Sequence, residues 1–151
     1  MATRSTIALE FADGTVQQVY CHWDGYLDHN GVILQEHYSD PFKLRDLIDL
    51  GGLSSLRAEI GDKHAFSQFD LPKEEVEAFV KRTENMCTFY ARDRGEKLIV
   101  HKFVDFQDYL AHHLYEEYEY ILRRDGNWYV KQHDNEFELL VPALAKELET
   151  A

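Results

Sequence analysis

The N-terminal part of the chain reads Thr6-Ile-Ala-Leu-Glu-Phe11, then Ala12-Asp-Gly-Thr15, then Val16-Gln-Gln-Val-Tyr-Cys-His-Trp23. In the first segment apolar side chains occupy every second position, which is typical of a strand with one buried face. The Asp-Gly pair supplies the positive φ angles that a tight turn needs. The third segment is rich in β-branched and aromatic residues, which favour strands. This stretch therefore predicts a β-hairpin.

The rest of the 151-residue chain contains a second hairpin signal and several helical ones. Amphipathic spacing and capping residues predict helices near residues 30–38, 41–50, 73–83, 105–114 and 142–149. Strands are predicted over 86–92, 98–103, 117–124 and 128–132, with a short extended segment before Pro142. Because glutamates alternate with tyrosines from Glu117 to Tyr120, the strand there is predicted to lie at a sheet edge or to expose one face.

Hairpins separated by helices indicate an α+β architecture. We expect a single domain over residues 1–151, with a largely antiparallel sheet and about four to five helices packed mainly on one face. A chain of this length can bury enough apolar surface to fold without disulfides or metals.

Acidic residues outnumber basic ones along the whole chain, 28 to 16, which gives a net charge of −12. Such a protein is a poor candidate for binding duplex DNA, because contacts to phosphates depend on Lys and Arg. Residues 105–120 contain no Lys or Arg, and their acidic side chains are Asp105, Asp108, Glu116, Glu117 and Glu119. This acidic window is either a solvated surface that maintains solubility or a surface that contacts a basic partner.

The sequence also leads to expectations about the cellular compartment and about cofactors. No apolar run approaches the roughly 18 residues that a membrane span needs, and the first residues lack the apolar segment of a signal peptide. We therefore expect a cytoplasmic protein in which Cys21 and Cys87 are reduced. There is no CxxC or HxxxH spacing, so we predict no metal site and no cofactor.

Chemistry-bearing side chains are densest in the segment Tyr20-Cys-His-Trp-Asp-Gly-Tyr26. One interpretation is structural: Cys21 and Trp23 belong to the core, and Asp24 and Gly25 form a turn. Another is a recognition surface, because aromatic residues dominate binding hot spots. Its members would be Tyr20, His22, Trp23 and Tyr26.

Two catalytic interpretations of the same region stay open. Cys21 could be a nucleophile, but it needs a base from elsewhere in the fold, because His22 points to the opposite face of a strand. Alternatively, a metal cluster could form, although its spacing matches no known template. Its ligands would come from His22, Asp24, Asp28, His29 and His37.

A second candidate site is Tyr90-Ala-Arg-Asp-Arg-Gly-Glu96. Two arginines, Arg92 and Arg94, bracket an aspartate in a glycine-containing segment. Arginine pairs bind phosphates and carboxylates through bidentate hydrogen bonds, so these two residues are candidates for an anion site. The other interpretation is a surface network of Arg and Asp side chains around a turn.

Five segments together resemble an uncharacterised family of small proteins encoded by bacteriophages and prophages. These segments are Arg4-Ser-Thr-Ile-Ala8, Tyr20-Cys-His-Trp-Asp-Gly-Tyr26, Glu36-His-Tyr38, Leu53-Ser-Ser-Leu56 and Arg92-Asp-Arg-Gly-Glu96. The similarity extends to about residue 130, and its most distinctive part is the segment from Tyr20 to Tyr26. The resemblance assigns no catalytic residue. It implies an intracellular accessory protein, of a kind that often binds host factors such as restriction or CRISPR machinery.

We therefore expect a non-enzymatic phage accessory protein that binds and inhibits a host or defence protein. Its contact surface would combine the acidic window at 105–120 with the aromatic residues at 20–26. The first alternative is a protein that sequesters a nucleotide signal, with Arg92 and Arg94 on its phosphates and an aromatic ring stacked on its base. The second alternative is a hydrolase that uses Cys21 or a His/Asp metal cluster.

Overall fold

The N-terminal hairpin forms as expected. The computed structural model describes residues 2–150, and in it β1 (Ser5–Glu10) pairs with β2 (Val16–Cys21) in antiparallel register. Gly14 closes the turn with φ of 92°, a value that favours glycine. The side chains of Ile7, Leu9 and Val19 are fully or almost fully buried on one face, as the alternation of the sequence predicts.

The hairpin lies at the centre of a mixed, mostly antiparallel sheet. Its other strands are β3 (Leu53–Ser55), β4 (Thr88–Phe89), β5 (His101–Phe103), β6 (Tyr118–Leu122), β7 (Trp128–Gln132) and β8 (Glu138–Leu139). Across residues 2–150 the strand order is β4-β3-β2-β1-β6-β7-β8, and β5 also pairs with β2. The pairs β1–β6 and β2–β3 are parallel.

Helices cover the sheet mainly on one face. They are α1 (Val32–His37), α2 (Pro41–Ile48), α3 (Val76–Thr83), α4 (Tyr90–Arg94), α5 (Phe106–His112) and α6 (Leu140–Thr150). Buried residues of α1, α2 and α6 belong to the larger core with Ile7, Leu9 and Val19, whereas α5 contributes Tyr109 to a smaller core on the other face. The expected α+β fold is confirmed. Among residues 2–150, no helix combines the length and apolarity that a bilayer crossing requires.

Helix α2 shows how local sequence sets an element's start. The carboxylate of Asp40 accepts a hydrogen bond from the N–H of Phe42 at 3.0 Å, which satisfies a backbone donor that the first turn leaves unpaired. Pro41 occupies the first helical position, where its missing N–H costs nothing. Leu44, Leu47 and Ile48 lie on its buried side.

The strand pair expected over residues 86–92 and 98–103 does not form. Strand β4 pairs with β3, and β5 pairs with β2. Between them the chain forms α4, which the sequence did not predict. The Asp93 carboxylate accepts a hydrogen bond from the N–H of Phe89 at 2.8 Å, and Gly95 ends the helix with φ of 73°. These contacts stabilise a helix at residues 90–94 in place of the expected hairpin.

Two further expectations need correction. Strand β6 is neither an edge strand nor exposed on one face, because it pairs with both β1 and β7 and buries Glu119 and Tyr120 on opposite faces. The last helix begins at Leu140 rather than Pro142. Pro142 therefore lies in its first turn, where backbone N–H groups have no partner within the helix. The short extended segment before it is present as β8.

Candidate functional site

The segment that follows β2 continues alongside β3. The N–H groups of His22 and Trp23 donate to the carbonyls of Leu53 and Ser54, both at 3.0 Å. The buried Asn30 amide donates to the Trp23 carbonyl at 3.3 Å. These bonds fix the backbone that carries the Trp23 ring before any partner binds.

Gly25 lies where this segment passes closest to β1. Its N–H donates to the Thr3 carbonyl at 2.9 Å, and its own carbonyl accepts from the Tyr120 hydroxyl at 2.6 Å. A Cβ at this position would lie 2.7 Å from the Cβ of Ser5, too close for two side chains. Asp24, just before it, has φ of 59°, which aspartate tolerates better than most residues. The turn therefore depends on both residues.

The four rings expected to bind a partner differ in exposure. Trp23 and Tyr26 are 44% and 37% exposed, so the interpretation of Trp23 as a core residue is wrong. Tyr20 and His22 are half-buried, and a 2.7 Å hydrogen bond joins the Tyr20 hydroxyl to His22 Nδ1. The His22 ring packs edge-on against Trp23, with 4.8 Å between centroids. Tyr20, His22 and Trp23 thus form a continuous run of rings.

Carboxylates surround these rings at the end of the sheet where β1 and β6 begin and β2 ends. The negative charge of Asp24 raises the pKa of the neighbouring Tyr26. The pKa of Tyr118 is raised by its burial and then by nearby carboxylates, which are those of Glu147, Glu117 and Asp28. Tyr118 and Tyr26 therefore both lie in a negative field that includes Asp28.

Glu116 belongs to the same region, beside Tyr20. Burial raises the pKa of the Glu116 carboxyl, while the positive charge of Arg4 partly offsets this effect. Burial also raises the pKa of Tyr20. The charge of Arg4 lowers this pKa, and the charge of Glu116 raises it. We define the acidic–aromatic patch as Tyr20, His22, Trp23, Asp24, Tyr26, Asp28, Glu116, Glu117 and Tyr118.

The acidic window expected at residues 105–120 is not one surface. Asp105 caps α5 by accepting from the N–H of Asp108 at 2.8 Å. The Asp108 carboxylate accepts from the N–H of Val104 at 2.9 Å, and this bond lowers its pKa. Helix α5 follows β5, which pairs with the end of β2 opposite to Tyr20. Asp105 and Asp108 therefore organise a helix and lie outside the patch.

Glu119 does not lie on the surface and cannot be a partner-binding residue there, because it is fully buried. One of its oxygens contacts His113 Nε2, and the other lies 3.3 Å from the ammonium group of Lys131. His113 Nδ1 lies 2.7 Å from the Tyr109 carbonyl, an acceptor, so this nitrogen carries a proton. Glu119 is part of a buried ionic cluster in the smaller core.

The hydrogen-bond donors of Arg92 are occupied by contacts within the fold, so Arg92 does not form the expected anion site. Its guanidinium donates to the carbonyls of Ile60, Gly61 and Cys87 at distances between 2.8 and 3.1 Å. Two further bonds, of 3.0 and 3.2 Å, reach the carboxylate of Asp93. These contacts use all the N–H donors of the guanidinium group. A phosphate would have to replace them.

Asp93 completes this network from within the core. Its carboxylate accepts from the N–H of Phe89 at 2.8 Å and from the N–H of His64 at 3.1 Å. Burial alone would raise its pKa, but hydrogen bonds outweigh burial and lower it; they come from Arg92, Phe89 and His64. Asp93 is therefore an ionised anchor for α4.

Arg94 has a different environment. Its guanidinium stacks 4.2 Å from the centroid of the Phe66 ring and 5.1 Å from that of Tyr90, and it pairs with Glu96. Tyr90 and Tyr20 line a cavity of about 240 Å³. Of the expected site residues, Tyr20 therefore lines this cavity, and Arg94 packs against Tyr90, which is part of the cavity wall.

Cys21 is not arranged as a nucleophile. It is completely buried, and burial raises its pKa to about 12, so the reactive thiolate is scarce at neutral pH. Its sulfur lies 3.5 Å from the Asn30 amide and 3.7 Å from the Trp23 carbonyl. Within residues 2–150, no three His, Cys, Asp or Glu side chains converge in a way that could hold a metal ion.

Comparison of the chain with protein-family models, curated proteins and solved structures finds no match. The geometry of the acidic–aromatic patch is therefore the basis for inferring function. The sequence indicates Asp24 as a turn residue or a metal ligand, Asp28 as a metal ligand and Tyr118 as part of a strand. Their assembly depends on the parallel pairing of β1 with β6, which no local pattern indicates.

Proposed function

We propose that this chain is a binding protein that modulates another protein by docking the acidic–aromatic patch onto a basic surface. One observation carries the proposal: the exposed rings of Trp23 and Tyr26 and four carboxylates lie at the same end of the sheet. Those carboxylates belong to Asp24, Asp28, Glu116 and Glu117. Buried aromatic anchors supply most of the affinity in many interfaces, while complementary charge accelerates association and selects the partner.

The rigidity of the patch supports the same proposal. Hydrogen bonds to Leu53, Ser54 and Asn30 hold the backbone that carries Trp23. A surface that is already ordered loses little conformational entropy on binding, so more of the contact energy contributes to affinity.

The resemblance to phage and prophage proteins supports a specific setting for this activity. In that setting the chain is an accessory protein, and its partner is a host or defence protein whose function it inhibits. A nucleic-acid-binding protein of the host is a suitable class of partner, because its basic groove complements the negative field of the patch.

The test compares two variants with the same change in charge. Asp28→Lys with Glu117→Lys reverses two patch carboxylates, whereas Glu74→Lys with Glu77→Lys reverses two exposed carboxylates in and beside α3. The immobilised wild-type chain and both variants are exposed to extract from the bacterial host, and retained proteins are identified by mass spectrometry. We expect one basic protein to be retained by the wild type and the α3 variant and lost from the patch variant.

The purified partner then provides a quantitative test. Its Kd for the wild type should rise with increasing salt, as expected for charge-complementary association. Trp23→Ala should raise this Kd by about tenfold or more. Retention of the same proteins by both charge-reversed variants would contradict the proposal. So would a Kd that Trp23→Ala leaves unchanged.

The cavity between Tyr20 and Tyr90 favours a second candidate function, the binding of a nucleotide signal. Lys97 also lines this cavity, and Arg94 stacks on Tyr90, so a base and a phosphate could each find a partner. Thermal unfolding with a panel of cyclic and ADP-ribose-type nucleotides tests it. A bound nucleotide should raise Tm as its concentration increases, and Arg94→Gln should reduce that shift. No shift across the panel would exclude this candidate.

A further inference from the structure

A groove lies at the opposite end of the sheet from the acidic–aromatic patch. It is bounded by the end of β1, the end of β6 and the first turn of α2, and its volume is about 490 Å³. This volume lies in the range of about 300–1,000 Å³ that is typical of small-molecule sites. The lining includes Leu9, Phe11, Phe42, Arg45, Leu122 and Arg124, which we call the arginine groove. Glu10 also lines it, and its carboxylate is paired with Arg123 and Arg124.

Most of the wall of this groove is apolar. Leu9 and Leu122 are adjacent on the paired strands β1 and β6 and form its floor, and Phe11 continues it. Phe42 is 69% exposed at the first turn of α2. An exposed phenylalanine beside an apolar groove would lose unfavourable contact with water if a ligand with an apolar body bound there.

Arg45 provides a cation whose charge is not neutralised by an ion pair. Its guanidinium lies 5.7 Å from the centroid of the Phe42 ring, one turn away on α2. Among residues 2–150 it forms no ion pair with a carboxylate. In a chain with a net charge of −12, this cation beside an apolar groove is an exception to the general charge distribution.

Arg124 adds a second cation at the groove, and one of its guanidinium nitrogens donates to the Ala12 carbonyl at 3.4 Å. Its Nε lies 3.6 Å from the Glu10 carboxylate, and its side chain is 54% exposed. Glu10 already accepts hydrogen bonds from the Arg123 guanidinium and from the backbone N–H of Arg124. The Arg123 guanidinium stacks on Phe106, in the smaller core on the other face of the sheet. Arg45 and Arg124 are therefore the cations available to a ligand.

Two other carboxylates, Asp13 near Arg124 and Asp125 near Arg123, are engaged in turns. Asp13 accepts hydrogen bonds from the backbone N–H and hydroxyl of Thr15 at 3.0 and 2.7 Å. Asp125 accepts from the N–H of Asn127 at 2.9 Å and from the Tyr129 hydroxyl. Their charges reduce the positive field but do not occupy the donors of Arg45.

We propose that the arginine groove binds a small organic anion with an apolar body, of the class of medium-chain carboxylates. The chain of such a ligand lies along Leu9, Phe11 and Leu122, and its carboxylate accepts hydrogen bonds from Arg45 and Arg124. Arginine suits this role because its planar donors match the two oxygens of a carboxylate. This site is separate from the acidic–aromatic patch, so its existence does not depend on the proposed function.

The test is an NMR titration of the full-length ¹⁵N-labelled protein with decanoate and, separately, with decyltrimethylammonium, both below their aggregation concentrations. Decanoate should cause saturable shifts at residues 9–12, 41–45 and 122–126. The cationic probe has the same chain length and should bind at least tenfold more weakly. Arg45→Gln should weaken decanoate binding by about tenfold.

The matched control is Arg82→Gln, which removes an exposed arginine from α3 and should leave the Kd for decanoate unchanged. Arg45 is exposed, so its substitution preserves the fold, which the spectrum itself verifies. Equal binding of the two probes would overturn the proposal, as would shifts centred elsewhere or the absence of saturable binding. A Kd that is insensitive to Arg45→Gln would also overturn it.

Discussion

Replacing Asp93 with asparagine removes the charge that ties α4 to the rest of the molecule. The carboxylate accepts four hydrogen bonds, two from backbone N–H groups and two from Arg92. Asparagine offers one acceptor oxygen in place of two, so about half of these bonds are lost. Hydrogen bonds to charged groups contribute about 1.5–3 kcal/mol each. We therefore expect Asp93→Asn to lower the free energy of unfolding by about 3–5 kcal/mol, as when a buried ion pair loses one partner.

Urea unfolding at pH 7, followed by circular dichroism, measures this loss directly. For a chain of this length the corresponding decrease in Tm is about 10 °C. The effect should also depend on pH. Because the folded-state pKa of Asp93 is lowered, its contribution is fully present above the unfolded pKa of about 3.9 and is lost as pH falls through the folded pKa. The difference between wild type and Asp93→Asn should therefore narrow below pH 4.

A nearby exposed carboxylate serves as the control. Asp62→Asn removes a charge from the loop next to Gly61, whose carbonyl accepts from Arg92, and should change stability by less than about 0.5 kcal/mol. If Asp93→Asn costs no more than Asp62→Asn, the assignment of Asp93 as an ionised anchor is refuted. A stability difference that stays constant from pH 7 to pH 3 would refute it as well.

Two further predictions concern the second ionic cluster and the turn of the patch. Glu119→Gln should lower the free energy of unfolding by about 3–5 kcal/mol, because it removes the buried charge that faces the Lys131 ammonium group and His113 Nε2. Glu117→Gln on the surface should be nearly neutral, and equal effects would show that the charge of Glu119 does not stabilise the fold. Gly25→Ala should cost about 1–3 kcal/mol, because the new methyl group overlaps Ser5. Gly52→Ala, where the nearest atom lies at 3.6 Å, is its control, and an equal cost for both would contradict the close packing at Gly25. Chemical denaturation measures each effect.

The two hairpins could be predicted from the sequence because the information for them is local. Alternating side chains define each strand, and an Asp-Gly turn joins each pair. The start of α2 was also predictable, since Asp40 and Pro41 act within a single turn. In these elements the backbone hydrogen bonds that define the turns and the strand register join residues close together in the chain.

The errors share a different cause, which is contact between distant segments. Glu119 follows the alternation of an exposed strand, but the parallel pairing of β6 with β1 buries both of its faces. Residues 90–94 have β-forming neighbours, yet the bond from the backbone of His64 to Asp93 helps to hold them as a helix. The candidate site was only partly predictable. The rings at 20–26 are close together in the sequence, but contacts between distant segments place the acidic residues beside them.

The central place of β1 has a consequence for how the protein is made. Strand β1 must wait for β6 before its second edge is paired, and the ribosome reaches Leu122 long after Glu10. At roughly 5–20 residues per second, the delay is about 5–20 s. Until β6 is made, the side chains of Ile7 and Leu9 lack the core partners that it supplies, Tyr120 and Leu122. The nascent polypeptide is therefore a natural client for chaperones that shield apolar segments during translation.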